Sequence, residues 1–250
     1  MKTGKWTNPV KITRDSISEG ALIREVEKIQ GYPLLTDEER QASVRQIMTD
    51  KPAPDIWLFA YGSLIWNPTF SFDRQCKGTL YGWQRTFCMW TYLRGTIDRP
   101  GLTLALDTGD ACEGMLYRIP EAQCKEELNA IWRREMIDGA YQPCWVEVDT
   151  PDGKIKAVTF VINPSHSRYT GPLEEYEIIH TIATATGKIG PCCEYLFNTH
   201  ASFKKNNITD SSVDKLDQQV RSYQAQLNKN AFLSDINYPI AKATDNQSTR

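Results

Sequence analysis

Between residues 56 and 162 the chain is dominated by short apolar runs separated by turn residues, a pattern that few architectures accommodate. Leu80 to Met89 and Leu102 to Leu106 are strand candidates, and Glu113 to Ile119 follows a turn expected at Thr108-Gly109-Asp110. Trp145 to Val148 and Ile155 to Ile162 alternate apolar and polar residues around Pro151-Asp152-Gly153, which reads as a hairpin. So many strands in so short a span argue for a closed or nearly closed sheet. One helix is embedded among them. Pro120 and Glu121 make a good first-turn pair, and the helix is expected to run to about Met136.

The first strand of this region carries the strongest functional clue. WLFAYGSLIW, from Trp57 to Trp66, is a buried-strand pattern that breaks at Tyr61-Gly62-Ser63-Leu64 and then turns apolar again. A strand that ends at Gly62 exposes backbone N–H groups where a core element meets solvent, which suits a small anion. A tight turn between two core strands has the same pattern. The embedded helix supplies a second clue. Cys124, Leu128, Ile131 and Trp132 follow i, i+4, i+7, i+8 spacing, and the next position on that face is Glu135. Desolvation there raises a carboxyl pKa toward that of a general base working near pH 7. The competing role is a salt bridge, with an arginine from elsewhere, because Arg133 and Arg134 are too close in sequence to face Glu135 on a helix. Glu126 and Arg133 fall on the opposite, solvated face.

Residues 1–54 read as a helical, polar extension packed on the outside, 55–230 as the main domain and 231–250 as a tail. Leu22, Val26 and Ile29 recur at helical spacing, and Thr36 with Glu39 forms a capping box ahead of Val44, Ile47 and Met48. After the hairpin, Tyr176, Ile179 and Ala183 form the inner face of a helix ending near Gly187. A last helix runs from Val213 to about Leu227, and the final ten residues read as disordered. The 250 residues carry 29 basic and 31 acidic side chains with no basic block, which disfavours nucleic acid or membrane surfaces as partners. No apolar run reaches the roughly 18 residues of a membrane span, and the N-terminus lacks the apolar centre of a signal peptide, so a soluble cytoplasmic protein is expected. The seven cysteines, without a C-x-x-C pair, read as reduced core fillers, with adjacent Cys192 and Cys193 the exception open to redox sensitivity. His166, His180 and His200 are too scattered for a metal site. Ser63 lies outside a G-x-S-x-G elbow, which argues against a nucleophilic hydrolase.

Four separated segments bear a family resemblance: YGSLIW, RGTIDRPGLTLALD from Arg94 to Asp107, WRREM around Glu135, and NPSHSRYTGPLEEYEIIHTIATATG followed by Glu194-Tyr195-Leu196. Over roughly residues 56 to 200 the chain resembles the ChaC family of γ-glutamylcyclotransferases. The resemblance implies an α+β fold, a small mixed β-barrel with helices packed around it. It also implies cytosolic degradation of glutathione to 5-oxoproline and cysteinylglycine, without metal or cofactor. The family's γ-glutamyl-binding loop maps to Tyr61, Gly62, Ser63 and Leu64, and its catalytic glutamate to Glu135. Relatives often have two glycines and a tyrosine after that glutamate, where this chain has Met136-Ile137-Asp138-Gly139-Ala140-Tyr141. For the glycine carboxylate of glutathione, Arg94 and Arg99 are the candidate receptors, set against their being ordinary surface arginines. Tyr169 either lines the pocket through its hydroxyl or caps the barrel edge. Other γ-glutamyl amino acids or amines are the nearest alternative substrates, and a non-catalytic ligand-sensing partner of a transporter is the alternative outside enzymes.

Overall fold

The computed structural model describes residues 10–29 and 32–236. Three helices come first: α1 (Arg14–Ser18), α2 (Ala21–Glu27) and α3 (Asp37–Thr49). Strand β1 (Ile56–Ala60) leads through a single helical turn, α4 (Ser63–Trp66), to the long strands β2 (Arg74–Thr91) and β3 (Gly101–Ile119). Helix α5 (Glu121–Glu135) precedes the hairpin of β4 (Tyr141–Thr150) and β5 (Gly153–Ile162). The rest comprises α6 (Glu175–Thr184), the two-residue strands β6 (Thr186–Gly187) and β7 (Gly190–Pro191), α7 (Cys192–Lys205) and α8 (Ser211–Ile236).

The five longer strands close in the order β1-β3-β2-β4-β5. Antiparallel pairing predominates, but β1 runs parallel to β5, with Leu58 opposite Val158, so the barrel is mixed as expected. Closure follows from the apolar content of β1, where Ile56, Leu58, Phe59 and Ala60 are all buried and no edge is left bare. Thr108-Gly109-Asp110 is not a turn. β3 passes through it, opposite a register shift between Tyr81 and Trp83. Gly82, at φ +81°, makes the bulge, while a Cβ on Gly109 would lie 2.4 Å from the Gln84 side chain. The glycine marks a close approach inside a strand.

Helix α5 ends at Glu135 and buries Cys124, Leu128, Ile131 and Trp132 as its stripe predicts. Each such aliphatic or aromatic side chain contributes roughly 1.5 to 3 kcal/mol by leaving water. The Thr36–Glu39 capping box is formed and starts α3. Helices α1 and α2 do more than coat the outside. Ile17, Leu22 and Val26 pack with Ile137, just beyond α5, in a cluster separate from the barrel core.

On α6 the expected inner face is shifted. Ile182 is buried and Ile178, Ile179 and Ala183 pack on the core, whereas Tyr176 is 67% exposed and meets the Tyr223 ring at 6.0 Å. Gly187 lies past the helix end, in β6, where a Cβ would come within 2.4 Å of Leu93 O. Helix α8 extends beyond Leu227, which is exposed because the apolar stripe has by then left the core. The last ten residues lie outside the described residues. Among the described residues no helix is long and apolar enough to cross a membrane. All seven cysteines are free thiols, with Cys192 and Cys193 both buried.

Candidate active site

Strand β1 delivers the loop at Tyr61 to one end of the barrel. The Tyr61 ring turns inward and its hydroxyl donates to Phe160 O at 2.8 Å. From β2, Arg85 donates through Nη1 to Tyr61 O at 3.0 Å and to Glu113 O through Nη2, and its Nε pairs with Asp210 at 2.9 Å. The loop is therefore held from both sides. A Cβ at Gly62 would lie 3.0 Å from the Tyr195 hydroxyl, a tight approach that glycine relieves. The chain then makes the single turn of α4, whose first N–H groups have no acceptor within the turn.

Glu135 is the last residue of α5 and projects toward that loop. Its side chain is 13% exposed, and its Oε1 lies 3.0 Å from Arg134 Nε without accepting a hydrogen bond. Burial raises the carboxyl pKa, and the opposing pull of Arg134 does not cancel the rise. Proximity in sequence does not separate the two residues. The backbone leaves helical geometry at Met136, with φ −103° and ψ 54°, and the buried Arg134 side chain curls across the helix end. Its Nη2 donates to Ser63 Oγ at 2.8 Å, and its Nη1 to Thr69 Oγ1 at 3.1 Å and to Asn67 O. Arg134 thus ties Glu135 to the loop, a role that helical phase alone conceals.

Tyr61, Gly62, Ser63, Leu64 and Glu135 line one recess, together with Tyr141 and Tyr195. The recess measures about 20 Å³, enough for one water-sized group. It opens through Ser63, Glu135, Tyr141 and Tyr195 into a larger cleft of about 120 Å³. Tyr141 donates to Leu104 O at 2.7 Å, and burial drives the pKa values of Tyr61, Tyr141 and Tyr195 upward, so these hydroxyls stay protonated donors.

The remaining expected site residues divide. Arg94 is buried on the cleft wall, with Nη1 donating to Pro191 O at 2.8 Å and the guanidinium 5.8 Å from the Tyr195 ring. Arg99 is exposed in the turn that returns to Gly101 and lies outside the cleft lining. Tyr169 caps the barrel edge: it bridges to Met89 and donates to Asp107 Oδ2 at 2.8 Å, also outside the cleft. Arg168, in the turn just before it, lines the cleft instead. Besides Arg134, sequence inspection misses Arg168, Asp138 and Tyr195, which only the tertiary fold brings together.

Residues 56–223 match the family model described as ChaC-like protein. A glutathione-specific gamma-glutamylcyclotransferase of Escherichia coli (strain K12) is 36% identical over 218 residues, covering 86% of this chain and 94% of that protein. Glutathione-specific gamma-glutamylcyclotransferase 1 of Homo sapiens is 32% identical over 147 residues, 56% of this chain and 66% of that protein. Among solved structures, a gamma-glutamyl cyclotransferase specific to glutathione from yeast has the same fold, with a TM-score of 0.62 at 20% identity over 68% of this chain and 97% of that one.

Proposed function

Since the chain belongs to the ChaC-like family, we propose that it degrades glutathione by cyclising the γ-glutamyl group, releasing 5-oxoproline and cysteinylglycine, with Glu135 as general base and acid. The observation that carries the residue assignment is the shared recess: the loop from Tyr61 to Leu64 and the carboxyl of Glu135 line the same small space.

In this reaction the α-amino nitrogen of the substrate attacks its own γ-carbonyl carbon. The new C–N bond closes a five-membered lactam, the γ-amide C–N bond breaks, and the leaving nitrogen takes up a proton. The α-ammonium group, with a pKa of roughly 7.7 to 8.0, must first lose a proton. A carboxyl raised by burial is matched to accept it and to return it to the leaving nitrogen. Both reacting atoms belong to one molecule, so fixing the folded conformer can supply several kcal/mol, up to about 7 to 11 in favourable cases. The N–H groups of Gly62, Ser63 and Leu64 suit the oxyanion on the γ-carbonyl or the α-carboxylate, and Arg94 on the adjoining wall suits a substrate carboxylate. Arg99 drops from this set because its side chain is exposed away from the cleft. The reading carries a cytoplasmic setting, in keeping with seven free thiols.

The test is 5-oxoproline release from reduced glutathione. Glu135→Gln is expected to lower kcat by about 10² to 10⁴-fold, the usual worth of a positioned proton-transfer group. Glu126→Gln, on the exposed face of the same helix and paired with Arg14, is expected to leave the rate unchanged. Undiminished turnover by Glu135→Gln removes the carboxyl from the mechanism.

A further inference from the structure

Beyond Glu135 the cleft continues outward, and its far wall is built in part by the N-terminal segment. Ile12, Leu22, Val26 and Tyr32 line it together with Tyr92, Asp138 and Arg168. Tyr32, Tyr92 and Arg168 also line a second, outer pocket with His166, so the two spaces share a wall. The rings of Tyr32 and Tyr92 meet edge to face at 5.6 Å. Among the described residues lining the outer pocket, Arg168 is the one arginine or lysine.

Arg168 is set as a receptor would be. Its Nε donates to Trp90 O at 2.6 Å and its Nη1 to Asp138 Oδ2 at 2.7 Å. Asp138, whose side chain is 2% exposed, also accepts from Tyr32 Oη and, through Oδ1, from Ala140 N at 3.1 Å. A guanidinium carries five donors, and bonds through Nε and Nη1 fix its plane without consuming them all. The other cations of the cleft are committed further in. Arg134 is tied to Ser63, Asn67 and Thr69, and Arg94 lies beside Tyr195, which lines the inner recess.

We propose that Arg168, braced by Asp138 and by Tyr32 of the N-terminal segment, receives the carboxylate at the far end of the γ-glutamyl peptide and selects for substrates that carry one. The inference rests on the cyclisation reading for the orientation of the peptide. A peptide whose γ-carbon lies beside Glu135 points its leaving half away from the recess, which is closed behind by Phe59, Leu104 and Phe160. That half then runs outward along the cleft, where a planar guanidinium offers a carboxylate two parallel hydrogen bonds that an amide cannot accept in the same form. The N-terminal segment becomes part of the specificity wall.

The experiment compares reduced glutathione with its glycine amide, which removes the far charge and leaves the reacting bond untouched. It is read twice, as kcat/KM for 5-oxoproline release by the full chain and as Kd measured calorimetrically on the Glu135→Gln protein. Wild type is expected to prefer the acid by roughly 10- to 100-fold, the range of a charge-assisted hydrogen bond. Arg168→Gln is expected to abolish that preference while Arg94→Gln retains it. Equal handling of acid and amide by wild type overturns the proposal, and this holds even if Arg168→Gln does not fold. So does an Arg168→Gln protein that loses both substrates equally, or one that still discriminates. Absence of 5-oxoproline from both compounds overturns the cyclisation reading instead, while the contrast in Kd still decides the subsite.

Discussion

Glu135 and Asp138 lie three residues apart at the same end of the barrel, yet their environments push them in opposite directions. Burial raises Glu135 against the pull of Arg134, so the folded state binds its proton more tightly than the unfolded chain does. The stability this gives is complete below the ordinary glutamate value of about 4.3 and is lost as pH rises through the raised folded value. Glu135→Gln removes that titration. Its thermal midpoint, relative to wild type, is therefore expected to be higher at pH 8 than at pH 5; a difference that does not change with pH excludes a raised carboxyl. Asp138 behaves oppositely. Burial pushes its pKa up, but Arg168 and the bond from Tyr32 outweigh burial and hold it below the usual range. Its contribution is present above the ordinary aspartate value of about 3.9 and fades as pH falls through the folded value. Asp138→Asn is expected to cost roughly 3 to 5 kcal/mol at pH 7, because Arg168 is left buried without its partner. Urea midpoints of mutant and wild type should converge toward pH 3, and a gap that widens there contradicts the assignment.

The elements that were legible in the sequence are those whose own pattern decides them. The stripe of α5 locates both the helix and its terminal Glu135, and Pro151-Asp152-Gly153 locates the hairpin, with Gly153 at φ +117°. The misread ones depend on a neighbour. Gly109 resembles a turn residue until Gln84 is seen above it, and Gly187 resembles a helix stop until Leu93 O is seen against it. The same holds for the site: the Tyr61–Leu64 loop and Glu135 are visible as patterns, whereas Arg134, Arg168 and Tyr195 join them only through tertiary contacts. Arg85, from the middle of β2, is another such residue, acting on the loop through the Tyr61 carbonyl. Arg85→Lys keeps a cation for Asp210 but cannot reach Tyr61 O, Glu113 O and Asp210 at once. A fall of about tenfold in kcat/KM, borne by kcat more than KM, is expected from a loop displaced by tenths of an ångström. A pure KM effect would place Arg85 outside the positioning of the reacting groups.

At the scale of the whole molecule the described residues form three apolar clusters of unequal size, one of them the small group of Cys88, Met89, Ala105, Ala140 and Ile162. The main core fills the barrel and the seams to α5, α7 and α8, while Ile17, Leu22, Val26 and Ile137 form a small cluster where the N-terminal helices meet the cleft. A small cluster with few buried side chains opens at lower free energy than the core it borders. The N-terminal helices and the cleft wall they build are therefore expected to open without the barrel, exposing the outer cleft while β1 and β3 stay paired. Leu22→Ala isolates this behaviour, since Leu22 is 3% exposed and the loss of its side chain costs roughly 2 to 5 kcal/mol at a buried site. Hydrogen exchange in α1 and α2 should accelerate by roughly 30- to 5,000-fold, the equivalent of that loss, while the amides of β1 and β3 exchange as in wild type. In the same protein KM for glutathione should rise with kcat little changed, because the wall binds the leaving half of the substrate and Glu135 is untouched. Exchange that accelerates uniformly through the barrel would instead show that the N-terminal helices and the barrel unfold as one unit, and the cleft would then have no separately opening wall.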